Sequence, residues 1–195
     1  FRQIDPRQAR IILVEAGHAI LPGYHETLSR AAVESLENFG VQVWTHKKVT
    51  GIDADGVDLG NERVEAKTVL WAAGVRASAV GRELGTTDRV GRIQVEPDLS
   101  LADHGYIFVV GDQALVHDDK GKSLPGIAPG AIQQGKHVAK NLLASVRGQE
   151  RKPFKYFDKG MMATIGRAAA VMQTGSLRMS GFFAWVAWSV VHIFF

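Results

Sequence analysis

Two short, unbroken apolar runs, each closed by a glycine and a carboxylate, constrain this chain more than any other feature. Ile11-Ile-Leu-Val14 ends in Glu15-Ala-Gly17, and Tyr106-Ile-Phe-Val-Val110 ends in Gly111-Asp112. A run of that length with no polar alternation reads as a strand covered on both faces, which is the habit of parallel sheets flanked by helices. Parallel strands need crossover connections, so the rest of the chain has to supply helices.

It does so in a repeating α/β order. Between His25 and Asn38, Leu28, Ala32 and Leu36 recur at four-residue spacing and Gly40 follows as a stop, which predicts a helix. Val41-Gln-Val-Trp-Thr45 alternates as a strand, and residues 49–65 break at Asp55-Gly56 and Leu59-Gly-Asn61, the chemistry of a β-meander. Residues 67–73 are strand-like and lead into Ala73-Gly74. After a loop from Val75 to Gly91, Arg92-Ile-Gln-Val95 opens a second unit. A helix is predicted over 131–146, with Ile132, Val138, Leu142 and Val146 as its apolar stripe and Gly148 beyond. Met161–Ile165 and Ala168–Val171 read as two strands around Gly166-Arg167, followed by the apolar stretch from Phe182 to Phe195. This pattern divides the chain into 1–90, 91–150 and 151–195.

Composition removes several classes of function. A chain that is 46% hydrophobic and 22% charged is not disordered. Its net charge of +3 comes from 23 basic and 20 acidic residues scattered singly, too weak for a nucleic-acid footprint, though compatible with an anionic membrane surface. The sequence has no cysteine, and none of its seven histidines stands in metal-ligand spacing, so neither a disulfide framework nor a metal centre is indicated. The first residue is Phe1 and the last residues sit inside an apolar run, so both ends are expected to be cut ends.

A carboxylate at the end of the second strand of a Rossmann unit accepts hydrogen bonds from the adenosine ribose hydroxyls, and Glu15 has that position if a strand and a glycine loop precede Phe1. Its charge would disfavour a 2′-phosphate and so favour NADH over NADPH. The competing reading is a cap or a solvated strand edge. Asp112, after a glycine that permits close backbone approach, can hold a polyol hydroxyl such as the ribitol of FAD; an Asx-turn at a strand exit is the alternative. A helix starting near Ala131 would aim its free N–H groups and positive dipole end at the same place, where a flavin gaining electron density would be stabilised.

Leu13-Val-Glu-Ala-Gly17, Thr68-Val-Leu-Trp-Ala-Ala-Gly-Val75, Ile107-Phe-Val-Val-Gly-Asp112, Ala128-Pro-Gly-Ala-Ile-Gln-Gln-Gly135 and Met162-Ala-Thr-Ile-Gly-Arg167 stand in the order and spacing of the type II NADH dehydrogenases. These are single-subunit, non-proton-pumping NADH:quinone oxidoreductases, and the resemblance covers essentially the whole chain. It implies an α/β fold, part of a two-dinucleotide-binding-domain, Rossmann-like flavoprotein: 1–90 as the C-terminal part of the NADH-binding domain with its β-meander, 91–150 as the C-terminal part of the FAD-binding domain, and 151–195 as a truncated C-terminal quinone- and membrane-associating segment. The reaction implied is hydride transfer from NADH to FAD and then two electrons to a quinone.

Carried over by residue, Glu15 resembles the ribose-binding acid, Ala73-Gly74 the turn near the nicotinamide, and Gly111-Asp112 the ribitol-holding turn. Ala131, Ile132 and Gln133 resemble the segment at the flavin pyrimidine edge. Ala128, Pro129, Gln133, Lys159 and Met162 resemble the quinone site, with Pro129 where the family pattern A-Q-x-A-x-Q has its first glutamine and Gln133 as the remaining amide. No side chain is implied as a nucleophile, because flavin carries the chemistry. Phe182, Phe183, Trp185, Trp188, Phe194 and Phe195 form a tail shorter than the about 20 residues that span a bilayer but rich in interface-seeking aromatics. A buried core helix or a dimer-contact helix is the other reading of the tail. The resemblance implies a peripheral protein of the cytoplasmic face of a bacterial inner membrane, or of a mitochondrial inner membrane, and is compatible with a homodimer. Two alternatives remain from the residues alone. One is a soluble pyridine-nucleotide flavoprotein reductase with a protein or thiol acceptor. The other is a non-catalytic membrane-binding module, since no G-x-G-x-x-G loop follows a strand in the sequence.

Overall fold

The computed structural model describes residue 5, residues 9–119 and residues 121–194. Phe195 lies outside the described residues, as does the side chain of Phe194. The chain divides into two compact units, one made of Phe1–Trp71 with Lys159–Phe195 and the other of Ala72–Asp158. The boundaries therefore fall at 71/72 and 158/159, where the sequence pattern suggests 90/91 and 150/151. The C-terminal segment joins the first unit because Val171 enters the same core as Leu28 and Ala32.

In the first unit β1 (Ile11–Val14) pairs in parallel with β2 (Val41–Trp44), and α1 (Glu26–Asn38) makes the crossover between them. His25 caps the helix, its Nδ1 accepting from Thr27 N–H at 3.3 Å. Gly40 ends it in a left-handed conformation, φ +82, donating to Glu37 O at 2.8 Å. Leu28 and Ala32 are buried with Ile20 and Val171, and Leu36 packs beside them, as the four-residue spacing predicts. Leu13 and Val43, opposite each other in the ladder, also turn into this cluster. The strand β1 is not covered on both faces: Ile11 is 55% exposed. Its sheet has two strands among the described residues, and one face is covered.

The meander forms as expected from β3 (Gly51–Ile52), β4 (Gly56–Asp58) and β5 (Arg63–Glu65), paired antiparallel in that order. Asp53 closes the first turn by accepting from the N–H groups of Asp55 and Gly56, and Arg63 pairs with both Asp53 and Asp58. Residues 67–73 do not form the predicted strand. Their apolar side chains, including Leu70 and Trp71, are exposed, and no strand among the described residues runs beside them to complete a ladder.

At the other end of this unit β8 (Met161–Gly166), β9 (Ala169–Thr174) and β10 (Leu177–Gly181) form an antiparallel sheet with β9 in the centre. The strand β10 is absent from the sequence expectations, although Leu177 and Met179 alternate with Arg178 and Ser180 in the manner of a short strand. Helix α4 (Phe182–Phe194) follows it directly and seats Ala184 against Ala170 and Met172.

The second unit has little regular structure. It contains α2 (Gly81–Leu84), the two-residue strands β6 (Ile93–Gln94) and β7 (Ala114–Leu115) in parallel, and α3 (Ala128–Val146). Ile93, Leu99, Leu101, Val109, Ala114, Val116 and Leu124 form its core. Tyr106–Val110 is not a buried ladder strand. Val109 points inward while Tyr106 and Val110 point to solvent, and the segment pairs only irregularly with 99–101, through Val109 N–H to Leu99 O and Leu101 N–H to Ile107 O.

The helix α3 differs most from expectation. It begins three residues before Ala131, because Pro129 suits a first turn, where a missing N–H costs nothing. Its buried face is Gly130, Gln134 and Asn141, not the apolar stripe; Val138 packs on the core, but Ile132, Leu142 and Val146 are exposed. The reason lies in what α3 must satisfy. Asn141 accepts from Lys152 N–H at 3.0 Å and donates to Lys152 O at 2.9 Å. Gln133 does the same to Phe157, at 2.9 and 3.0 Å, and Gln113 to Ser78, at 2.9 and 3.2 Å. Each amide replaces one rung of a strand ladder for a segment that has no strand partner.

Arg151 and Asp98 add to this network. Arg151 donates to Asp98, to Gly105 O and to Ser145 Oγ, and its guanidinium lies over the Phe108 ring. Burial raises the Asp98 carboxyl, but hydrogen bonds from Ser100 and then Arg151 outweigh it and leave it below the usual carboxylate range. Such a group contributes stability that is fully present above its unfolded pKa of about 3.9 and is lost as pH falls through the lower folded value. In urea unfolding, Asp98→Asn is expected to flatten the acid limb of stability against pH below about pH 4; an unaltered limb would remove Asp98 from the account. Asn141→Leu is expected to cost about 1–3 kcal/mol, because the Lys152 backbone groups lose their partner. The same assay should find Leu142→Ala nearly silent, and the opposite ranking would show that the apolar stripe is the structural face after all.

Candidate functional site

A cavity of about 190 Å³ opens in the second unit, lined among others by Arg92, Gly111, Asp112, Gly126 and Gln134. Gly111 starts a single 3-10 turn, Gly111–Gln113, in the left-handed region at φ +69. A glycine adopts that conformation without strain. Its N–H donates to Gln134 Oε1 at 2.6 Å, and Ala131 abuts it from the helix. The turn therefore hangs from α3 by a side chain that is only 4% exposed.

Asp112, the next residue, has no hydrogen-bond or ion-pair partner among the described residues, although it lines the cavity. A side chain on Gly126 would put its Cβ 2.9 Å from Asp112 Oδ1, so glycine at 126 keeps the space beside the carboxylate clear. Arg92 is committed elsewhere: Nε and Nη2 both reach Asp88 Oδ2 at 2.8 Å. Burial pushes the Asp88 carboxyl up, yet the Arg92 N–H and guanidinium pull it below its ordinary range. The cation in the cavity wall is thus neutralised, and the exposed Asp112 carboxylate keeps its acceptor capacity for a ligand.

The first turn of α3 offers less than the sequence suggests. Pro129 has no N–H, and the N–H groups of Gly130 and Ala131 both donate to Ile127 O, at 3.0 and 3.1 Å. Ala131 and Ile132 therefore lie past the free end of the helix, and Ala128 carries its open donor. Gln133 is not a free amide, since both its ends hold the backbone of Phe157.

Glu15 sits at the carboxyl end of β1, held by Glu15 N–H to Trp44 O at 2.9 Å and Lys47 N–H to Glu15 O at 3.1 Å. One carboxylate oxygen accepts from Gly17 N–H at 2.6 Å, and the other has no partner among the described residues. The local cap foreseen as the alternative exists, and it leaves half of the carboxylate available. Ala73 and Gly74 are exposed, Gly74 at φ +95. Ala128, Pro129 and Gln133 belong to the second unit, whereas Lys159 and Met162 belong to the first, where Met162 packs on Ala170, Met172 and Ala184.

The aromatic tail divides by face. Trp185 packs inward on that same cluster, and half-buried Trp188 stacks on His192 with centroids 4.2 Å apart. Phe182, Phe183, Val186, Val190 and Ile193 are exposed, Phe183 by 74%. No helix among the described residues is long and apolar enough to cross a membrane.

Four residues of these arrangements escaped the sequence reading: Gln113, Gly126, Gln134 and Asn141. A signal existed for one of them, because Gln134 follows Gly130 by one helical turn and precedes Val138 by another, the spacing of a single face.

The family model for pyridine nucleotide-disulphide oxidoreductases matches residues 4–135. The chain is similar to the type II NADH:quinone oxidoreductase Ndh of Mycobacterium tuberculosis, with 41% identity over 99% of this chain and 43% of that protein. It is also similar to the type II NADH:quinone oxidoreductase of Staphylococcus aureus, with 33% identity over 84% of this chain and 42% of the relative. It thus spans less than half the length of these relatives. Among solved structures, NDH2 from Plasmodium falciparum in complex with NADH superposes with a TM-score of 0.82 at 16% identity, over 94% of this chain and 54% of that one. A FAD-dependent pyridine nucleotide-disulphide oxidoreductase from Desulfovibrio vulgaris gives 0.64 at 24% identity, over 83% and 41%. At such identities the structures speak for the fold, and the sequence match carries the kinship. Fold, motif order and family match agree that the chain belongs to the pyridine nucleotide-disulphide oxidoreductase family.

Proposed function

We propose that this chain supplies part of the NADH and FAD sites, part of the quinone site and the membrane-facing helix of a type II NADH:quinone oxidoreductase. The observation that carries the proposal is the Asp112 carboxylate, which lines a cavity with no internal partner while Gly126 keeps the space beside it open. The names of the curated relatives support it. The residues fit a flavin, because an ionised carboxylate can only accept and a polyol chain offers hydroxyls.

A bound flavin would supply the two-electron chemistry, accepting hydride from NADH and returning two electrons, with two protons, to a quinone. The residues of the chain bind and orient. Asp112 accepts from a ribityl hydroxyl, with Gly111 allowing close approach. Ala128 N–H, Ala131 and Ile132 border the same ligand from α3. The free oxygen of Glu15 accepts from the ribose of NADH, and its charge repels a 2′-phosphate. Gly74, lacking a side chain beside Ala73, leaves room for the nicotinamide. In the second unit Ala128, Pro129 and Gln133 are the candidates for contact with a quinone, Gln133 being held by Phe157; in the first unit the candidates are Lys159 and Met162. The outward face of α4, from Phe182 and Phe183 to Ile193, lies on the membrane, which suits its exposed aromatic and aliphatic side chains. An apolar quinone dissolves in that phase.

In the full-length flavoprotein, Asp112→Ala is expected to weaken flavin binding at least about tenfold, as loss of a charged hydrogen bond worth about 1.5–3 kcal/mol implies. Titration of the flavin-stripped protein with FAD measures this, and an unchanged dissociation constant would defeat the assignment. Glu15→Gln should weaken NADH binding and relax discrimination against NADPH by a comparable factor in binding titrations; unchanged preference would remove its role. Replacing Phe183, Val190 and Ile193 by serine should release the protein from anionic lipid vesicles in a flotation assay, and undiminished flotation would contradict the membrane-facing role.

A further inference from the structure

We infer that Gln134 is a ligand-contacting residue of the same cavity, its amide nitrogen donating to an oxygen of the polyol chain whose hydroxyl Asp112 holds. This rests on reading the cavity as the flavin site and extends it to a residue to which the family resemblance assigns no role. Gln134 is almost completely buried, and its Oε1 accepts from Gly111 N–H at 2.6 Å. That bond fixes the amide, since only the oxygen can face an N–H, and the NH2 group must point away from the turn.

The nitrogen has no partner among the described residues. Every fully enclosed side-chain nitrogen or oxygen among them does have one, so Nε2 keeps its access through the space that Gln134 lines. The donor is thus fixed in direction by the Gly111 bond, open to the cavity and free to meet an acceptor that enters it.

The chemistry of the ligand follows from the pair. Asp112 requires a donor and Gln134 Nε2 requires an acceptor, and both line one small cavity. A hydroxylated chain offers donors and acceptors on neighbouring atoms, whereas a ring carbonyl would answer Gln134 alone. Arg92 does not compete for the ligand's oxygens, because Asp88 already holds its guanidinium. Gln134 thus has two tasks: it fixes the Gly111 turn and it reads the polyol.

The test uses the full-length flavoprotein, stripped of flavin and titrated with riboflavin and with lumiflavin, which lacks the ribityl chain. Gln134→Glu keeps an acceptor for Gly111 N–H and, when ionised, has no N–H to give. It is expected to weaken riboflavin roughly tenfold and lumiflavin by less than about twofold. Equal weakening of both flavins would mean a general structural effect and would overturn the inference. Asp112→Asn separates the two levels. Weaker riboflavin binding in Asp112→Asn with none in Gln134→Glu overturns the Gln134 contact and leaves the cavity as the flavin site. Unchanged binding in both variants overturns the cavity assignment and the inference with it. If Gln134→Glu does not fold, the unmutated protein still decides. The side-chain amide signal of Gln134 in a ¹⁵N–¹H spectrum must shift with riboflavin and stay in place with lumiflavin, and a signal indifferent to both overturns the contact.

Discussion

The second unit depends on a helix that buries its polar side. Segments such as 75–80 and 152–157 carry backbone N–H and C=O groups but belong to no ladder, so side chains and not strands provide partners for them. Gln113, Gln133 and Asn141 supply them with paired amide bonds, and Gln134 does so for the N–H of Gly111. With Gly130, Gln134 and Asn141 turned inward, the apolar residues Leu142 and Val146 are left on the outside of α3. Hydrogen-bond satisfaction, rather than burial of apolar area, decides which way this helix faces.

The same constraint places the candidate site. Gly111 reaches a left-handed conformation that ends the extended backbone before it, and the buried amide of Gln134 holds it there. Asp112 is then carried on a turn that is fixed on one side and open on the other, because Gly126 contributes no side chain. An acceptor so held needs little reorganisation to meet a hydroxyl, which is the advantage of a preorganised site. In the first unit a comparable economy operates at Glu15, where Gly17 N–H orients one oxygen and the other stays free.

The elements legible in the sequence were those whose cause is local. Helix α1 follows from Leu28, Ala32 and Leu36 with His25 and Gly40 at its ends, and the meander follows from turn chemistry at Asp55-Gly56 and Leu59-Gly-Asn61. The elements misjudged depend on partners distant in sequence. Residues 67–73 and 106–110 have the composition of strands, but a strand exists only with a neighbour in register, and composition does not name the neighbour. The face of α3 was misjudged for a related reason. Its apolar stripe is visible to periodicity, while the backbone groups of Lys152 and Phe157 that demand Asn141 and Gln133 are not. In the candidate site, Glu15 and Asp112 could be named because each closes an apolar run. Gln134 could not, because its importance comes from a bond to residue 111.

The central claim is that Asp112 is held open for a hydroxylated flavin chain. A crystal structure of the full-length protein with FAD bound tests it most directly. The account predicts an Asp112 carboxylate oxygen about 2.5–3.0 Å from a ribityl hydroxyl. A flavin whose ribityl chain lies elsewhere, with Asp112 facing only water, would contradict it.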